Sequence, residues 1–538
     1  MSSPRTRNGT TAHVSFVGAG PGDDGLLTMR GADRLAEADV VIVDQLDRRL
    51  LVEARCHGDV EVVDAGFGED GLPLTRAARA KLVARAARRG GRVVRLMDGD
   101  PMTFTGLSEE LAAVRKEGAL FEIVPGVSAV TAVPAYAGVP LTPSGVVEVH
   151  VVHPHDVDVD WTRHRGDDTT VVVLGMVDDI VAAAASLLDA GRAARTPVAV
   201  TADGTTVAQR TVTCTLGEVA REVPAARLGR TVTAVVGPGA GQRELTSWFE
   251  VKPLFGWRVL VPRTKAQASS MVGRLVEHGA VPQVVPTISV EPPRTPHQME
   301  KAVKGLSDGR YEWIGFTSVN AVRAVREKFE EFGLDARAFA GLKVAAVGGV
   351  TAAALRHWGI EPDLVPTGDH EQSALGLLDV WPPFDEVLDP INRVFLPRAD
   401  IATDTLVAGL QKVGWEVDDV TAYRTVRAAP PPAEVREAIK TGQFDAVVFT
   451  SSSTVRNLVG IAGKPHATTV IACIGPATAK TAQEHGLRVD VLAPEPSSEA
   501  LVQALAEHGA AMRLSAVETG TPVLRPSQRK GATRRTAK

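Results

Sequence analysis

The 538-residue sequence predicts an α/β protein built of several lobes, and three observations carry that reading. The first is a strand–loop–helix opening. Apolar residues 14–17 run into Gly18-Ala19-Gly20-Pro21-Gly22-Asp23, and a helical pattern follows to Ala38. The second is a repeated phrase. Ile314-Gly315-Phe316-Thr317-Ser318-Val319 returns as Val447-Val448-Phe449-Thr450-Ser451-Ser452, each time a buried-strand run that delivers hydroxyl groups to the start of a helix. The third is that the repeat is wide. Arg258-Val259-Leu260-Val261-Pro262-Arg263 is answered by Arg393-Val394-Phe395-Leu396-Pro397-Arg398, and Gly348 with Thr351 by Gly475 with Thr478. The copies lie about 130 residues apart, the period of a domain and not of a solenoid. The second half therefore reads as two related lobes with a ligand between them.

Composition narrows the class. A net charge of −5 and a pI near 6.3 argue against general nucleic-acid affinity, which needs a basic face. Three cysteines, Cys56, Cys214 and Cys473, form no CxxC pair, which suits a reducing cytoplasm and excludes a disulfide framework. The 13 histidines show no ligand-like cluster, so no metal is implied. Residues 1–12 lack an apolar core and are expected to be a disordered tail, not a signal peptide. No apolar run reaches the ~18 residues of a membrane span. A soluble intracellular protein is expected, without nucleic-acid or membrane partners.

Residues 76–90 form a basic amphipathic helix whose charges read as a solvated face rather than a binding patch. A strand then ends in Met97-Asp98-Gly99-Asp100-Pro101, and another, 121–124, precedes Pro125-Gly126-Val127-Ser128-Ala129. These strand ends, with Asp44 after strand 39–43, bring small residues and acids to one sheet edge. The first loop lacks GxGxxG spacing, and Pro21 and Asp23 stand where a pyrophosphate loop wants glycine and no negative charge. It suits a non-phosphate ligand that carries positive charge, and it places a nicotinamide oxidoreductase last among the readings.

Together, Gly18 to Asp23 with Leu26-Leu27-Thr28, Gly99-Asp100-Pro101, Pro125 to Ala129 and Tyr136-Ala137-Gly138-Val139-Pro140 resemble the tetrapyrrole methylase family. The likeness is greatest to uroporphyrinogen-III C-methyltransferases and extends over residues 13–250. It implies a two-lobed fold (13–145 and 146–250) with S-adenosylmethionine at Pro21, Gly99, Asp100, Thr103, Ser128, Ala129, Leu174 and Gly204. It also implies Asp44 as the proton-abstracting carboxylate, and a homodimeric methylase half. Departures accompany the likeness. Asp98 replaces a glycine, Gly106 lies where an arginine is expected, and Leu174 replaces a methionine. Ala78 replaces an asparagine, and a lysine near Gly66-Phe67 is missing. The first half thus reads either as a working methyltransferase or as a silent scaffold or cofactor sensor.

Gly239, Gly241 and Pro253 mark a boundary, with a linker at 251–256. Beyond it, the duplicated Phe-Thr-Ser motifs, the paired Gly-x-x-Thr turns, Ala422-Tyr423-Arg424-Thr425 and Pro494 with Ser497-Ser498-Glu499 resemble uroporphyrinogen-III synthase. The resemblance implies two flavodoxin-like lobes, 257–288 plus 427–512 and 289–426, joined by an extended ribbon. It implies no cofactor, and a linear tetrapyrrole, hydroxymethylbilane, as substrate. Thr317, Ser318, Thr351, Thr450, Ser451, Ser453 and Thr478 fall at helix starts, where they bind carboxylates or simply cap. Arg263 and Arg398 either take carboxylates or tie a loop to its own lobe. Tyr423, one of three tyrosines, is the catalytic candidate, a phenol able to protonate a departing hydroxyl. A non-catalytic two-lobed binding protein is the remaining alternative. Residues 513–538 are expected to be a disordered basic tail.

Overall fold

The computed structural model describes residues 12–44, 49–68, 72–103, 106–154, 158–229, 231–367, 370–371 and 373–529. The tail expected at the start lies outside these residues except for Ala12, whose carbonyl accepts from Leu120 N at 3.0 Å. The chain forms two compact units. One holds residues up to 257 with 275–281 and 509–521; the other holds 258–274, 282–508 and the residues from 522.

The first unit carries two five-stranded sheets. Strands β1 (His13–Gly18), β2 (Val40–Val43), β3 (Glu61–Asp64), β4 (Arg92–Met97) and β5 (Leu120–Val124) run parallel in the order β3-β2-β4-β1-β5. Val14, Phe16 and Ile42 face one core, and Val17, Val41 and Val43 the other. Apolar layers on both faces explain why these strands read as unbroken hydrophobic runs. Each such side chain contributes about 1.5–3 kcal/mol relative to exposure. The second sheet takes β6 (Glu148–Val152), β7 (Thr169–Met176), β8 (Pro197–Ala202), β9 (Arg210–Thr215) and β10 (Thr231–Val236) in the order β6-β7-β10-β8-β9. It is antiparallel except for the β6–β7 pair.

In the second unit the strands in chain order are β11 (Arg258–Val261), β12 (Val281–Val284), β13 (Ile288–Glu291), β14 (Trp313–Phe316), β15 (Lys343–Ala346), β16 (Arg393–Ala399), β17 (Glu416–Arg427), β18 (Ala446–Phe449), β19 (Val470–Cys473) and β20 (Val491–Leu492). They form two sheets, β12-β11-β18-β19-β20 and β13-β17-β16-β14-β15. The first has the doubly wound order 2-1-3-4-5. The second repeats it in permuted form, with β16, β17, β14 and β15 taking the places of strands one to four. Chain crossings between the lobes are made by β13 and the end of β17, antiparallel from Ile288↔Arg427 to Glu291↔Arg424.

The tail expected from residue 513 is corrected by the structure. The Ser498–Glu518 helix continues six residues past 512, through Arg513, Leu514, Ala516 and Val517, which are good or tolerable helix formers. Arg513 donates from Nη1 to the Glu250 carbonyl at 2.9 Å, and Ser527 N donates to Asp445 Oδ1 at 2.9 Å. Of that tail, the residues past 529 lie outside the described residues.

Candidate functional site

In a parallel sheet the strand ends that carry ligands share one edge. In the first unit, three of those ends meet on glycine because nothing larger fits. A Cβ on Gly18 would stand 2.5 Å from Gly126 Cα, and one on Gly126 would stand 2.2 Å from the Gly99 carbonyl. Gly20 and Gly99, both at positive φ, exchange backbone hydrogen bonds of 2.9 and 3.2 Å and so fix the turn at Pro21. In front of Gly99 the space is open, with only Ala129 N near a Cβ, at 3.8 Å.

Asp100 ties this edge together. Its Oδ2 accepts from Gly126 N at 3.0 Å, and its Oδ1 accepts from Met102 N and Thr103 Oγ1 at 2.9 and 3.2 Å. Ser128 caps the Ala129–Ala137 helix by accepting from Val130 N. The second sheet adds the turn at 203–206. Asp203 and Thr205 hold positive φ there, and Gly204 presses against Val133. Thr205 Oγ1 accepts from Asp23 N at 3.0 Å, and Asp23 Oδ2 accepts from Tyr136 Oη at 2.7 Å. Burial and the Asp23 carboxylate together push the Tyr136 phenol up. Pro21, Gly99, Asp100, Thr103, Ser128, Ala129 and Gly204 are thus brought into one cluster from four separate stretches. Leu174 is not brought in by these contacts; its register partner is Thr233 within the second sheet.

Asp44 ends β2 on the same edge, and its surroundings are ionic. Arg95, fully buried on β4, donates from Nη2 to Asp44 Oδ1 at 2.5 Å and pairs with buried Glu110 at 2.8 Å. Burial opposes the Arg95 charge, but the Glu110 and Asp44 carboxylates outweigh it and raise its pKa. Arg79 Nη1 stands 3.6 Å from the same Asp44 oxygen. Asp44 is thus a carboxylate oriented by a buried guanidinium. The Arg76–Arg89 helix is corrected: it is not a wholly solvated face, because Arg79 turns inward.

In the second unit the repeated phrases lie at equivalent topological switch points. Arg263 follows β11 and Ser451 follows its neighbour β18; Arg398 ends β16 and Ser318 follows its neighbour β14. Ser318 caps the Val319–Glu331 helix by accepting from Ala321 N at 3.1 Å, and its Oγ lies 2.9 Å from Tyr423 Oη. Tyr423 sits nearly buried on β17. Ser451 caps the Ser452–Ala462 helix through Thr454 N, and its Oγ meets Ser453 Oγ at 2.9 Å. Thr317 and Thr450 occupy the preceding half-buried positions.

Two groups of expected ligand residues are corrected. Thr351 and Thr478 are third residues of their helices and face the cores at 5% and 4% exposure, so their hydroxyls do not line an open site. Their helices instead begin at Gly348 and Gly475 without any side-chain cap. Arg398 is buried and committed to its own lobe. It is held by the Asp419 carboxylate, by the Thr403 carbonyl at 2.6 Å and by Asp404 at 3.5 Å. Arg263 is different. It is half-buried, its Nη1 donates to Ser498 Oγ at 3.4 Å, and burial lowers its pKa with no carboxylate among the described residues to oppose the effect.

Sequence reasoning missed Arg79, Arg95, Tyr136 and Ser498. A buried arginine inside an apolar strand, Val93-Val94-Arg95-Leu96, was the available signal for one of them. Among the described residues no group of three or more His, Cys, Asp and Glu side chains could hold a metal ion. Nor is any described helix long and apolar enough to cross a membrane.

The two units match two families of tetrapyrrole-biosynthesis enzymes. Residues 13–220 match the tetrapyrrole (corrin/porphyrin) methylases, and residues 269–503 match uroporphyrinogen-III synthase HemD. The chain belongs to the family of the porphyrin biosynthesis protein HemD of Ruminiclostridium josui. The two are 30% identical over 504 residues, 92% of this chain and 98% of that one. A siroheme synthase of Azotobacter vinelandii is 36% identical over 244 residues, covering 44% of this chain and 52% of its own, so the chain spans about half the length of that relative. Among solved structures, uroporphyrin III C-methyl transferase from Thermus thermophilus is 32% identical over 43% of this chain and 99% of its own, with a TM-score of 0.36.

Proposed function

We propose that the second unit cyclises hydroxymethylbilane to uroporphyrinogen III, inverting ring D, and that the first unit methylates that product. The observation that carries the synthase reading is the Ser318–Tyr423 pair at a switch point of a synthase-matched domain. The reaction begins when the terminal carbon–oxygen bond breaks. Tyr423 gives its phenolic proton to the departing hydroxyl, water leaves, and the adjacent pyrrole supplies the electron pair of the azafulvene. Ser318 holds the phenol in place. The substituted α-carbon of ring D attacks the azafulvene to give a spiro intermediate, and its bond to the neighbouring methylene bridge breaks. That methylene then bonds to the other α-carbon of ring D, and the proton lost there returns to the phenolate. Arg263, Thr317, Thr450, Ser453 and the uncapped helix starts at Gly348 and Gly475 receive the substrate carboxylates. Folding the flexible chain into this geometry is itself a large part of the catalysis.

For the first unit, S-adenosylmethionine supplies a methyl group on positively charged sulfur. The open cradle at Gly99 and the carboxylates of Asp100 and Asp23 fit a ligand with cationic groups of that kind, and the Ser128 helix start fits its carboxylate. Asp44, oriented by Arg95, receives the proton that the methylated ring carbon sheds. The replacements at Asp98 and Leu174 keep a silent methylase as the second reading. Three cysteines without partners support a cytoplasmic setting.

The test is a coupled assay from porphobilinogen with added hydroxymethylbilane synthase, run with and without S-adenosylmethionine. Isomer III is expected in both, with mass gains of one and two methyl groups when the cofactor is present. Isomer III without methyl gain selects the silent-methylase reading, and isomer I alone would overturn the synthase.

A further inference from the structure

The Arg76–Arg89 helix begins with two arginines three residues apart, on one face. Arg79 is 27% exposed, and its Nε is buried with no hydrogen-bond partner among the described residues. Its approach to Asp44, 3.6 Å, is longer than a hydrogen bond, and the oxygen it approaches is already held by Arg95 at 2.5 Å. A buried guanidinium N–H left without an acceptor is costly and marks a place where an acceptor is missing.

Arg76 lies beside the turn that starts the Leu107–Lys116 helix. A Cβ at Gly106, whose φ is +71°, would stand 3.1 Å from Arg76 Nε and 3.2 Å from its Cδ. The arginine side chain therefore occupies the space that a side chain at 106 would fill. Its one ion pair among the described residues, to Glu109, is loose at 4.0 Å. The arginines at the far end of the helix are different: Arg89 pairs with Glu61 at 2.6 Å and Arg88 with Glu117 at 3.6 Å.

We propose that Arg76 and Arg79 form a carboxylate clamp that binds the acidic rim of the porphyrinogen beside Asp44. The ligand class is a polycarboxylate macrocycle, and two guanidinium groups one turn apart suit two neighbouring peripheral carboxylates. The inference rests on the methylase reading of the first unit. Arg95 is excluded from this role because it is fully buried and doubly paired.

The test uses the full-length protein and the variants R76A, R79K, R76A/R79A and, as a control on the same helix, R88A/R89A. In methyl-transfer kinetics the double variant raises the KM for uroporphyrinogen III by about tenfold or more, the loss of a charge-assisted contact. The KM for S-adenosylmethionine and the synthase rate stay unchanged, and R79K falls between. Added salt raises the wild-type KM and loses that effect in R76A/R79A. An unchanged KM and salt response in R76A/R79A, beside an active wild type, overturns the clamp and leaves the methylase standing. A second readout does not need turnover: uroporphyrin III binding followed by fluorescence, with coproporphyrin III as the tetracarboxylate comparison. If the wild type transfers no methyl group, the methylase reading fails. The clamp then stands if R76A/R79A loses a uroporphyrin-selective binding component that R88A/R89A keeps, and it falls if both bind alike.

Discussion

The two lobes of the second unit start from the same phrases and use them differently. After β16, Arg398 is buried against Asp419, Asp404 and the Thr403 carbonyl, whereas after β11 the corresponding Arg263 meets, among the described residues, only Ser498. After β14, Ser318 caps a helix and touches a phenol, whereas after β18 Ser451 caps a helix and touches only Ser453. Duplication supplied each lobe with one cation and one capped helix at its switch point. Divergence left the serine–phenol contact in one lobe and the half-buried arginine in the other. The difference lies in what the neighbouring strand offers: Asp419 and Tyr423 both come from β17, and β12 carries no acid or phenol.

The largest effect expected from this contrast is on stability. Arg398→Met should destabilise the second unit by about 3 kcal/mol, the low end for breaking a buried pair, because Asp419 opens to solvent at 38% side-chain exposure. Arg263→Met should cost less than about 1 kcal/mol. Thermal melting of the two variants side by side checks this, and equal losses would erase the distinction between the arginines. Next comes Tyr423→Phe, which should lower the synthase kcat by about a hundredfold while leaving Tm within a degree or so, since the buried ring stays. Ser453→Ala, at the matching helix start of the other lobe, should change kcat less than about threefold.

Much of this arrangement was legible in the sequence. Both repeats, the crossings near 286–291 and 420–427 and the placing of hydroxyls at strand ends follow from apolar runs that stop at Thr and Ser. What could not be read was which polar groups neutralise one another. Arg263 and Arg398 have the same local sequence, and only pairing with β17 decides that one is consumed. Thr351 and Thr478 look like helix-start donors, but as third residues they rotate toward the core, and the glycine before each helix is left as an uncapped start. In the first unit, the glycine cluster follows from three loops that stop in Gly. The ion network under Asp44 depends on Arg95 and Glu110, which are 15 residues apart and carry no motif.

A smaller effect sharpens the role of the half-buried arginine. Arg263→Met should raise the synthase KM for hydroxymethylbilane about tenfold with kcat nearly unchanged, the pattern of lost ground-state binding. Arg263→Lys should recover part of it, and raising the salt concentration should narrow the gap to wild type. A fall in kcat instead would place Arg263 at the reacting carbon and merge the roles of the two lobes.

The smallest effect is the most discriminating, because it compares one substitution at two copies of one motif. Ser318→Ala and Ser451→Ala each remove an N-cap hydroxyl, so each should cost about 1 kcal/mol of stability. Thr454 softens the second loss, since its hydroxyl accepts from Ser451 N whatever residue stands at 451. Activity should separate them. Without Ser318 the Tyr423 hydroxyl loses the partner that orients it, and kcat should fall about tenfold, a lost hydrogen bond of ordinary strength. Without Ser451 only another hydroxyl, Ser453, is released, and kcat should hold. Ser318→Thr keeps both the cap and the contact with the phenol and should restore rate and stability together. If the two alanine variants lose activity equally, the hydroxyls act only as caps and Tyr423 is positioned by its strand alone.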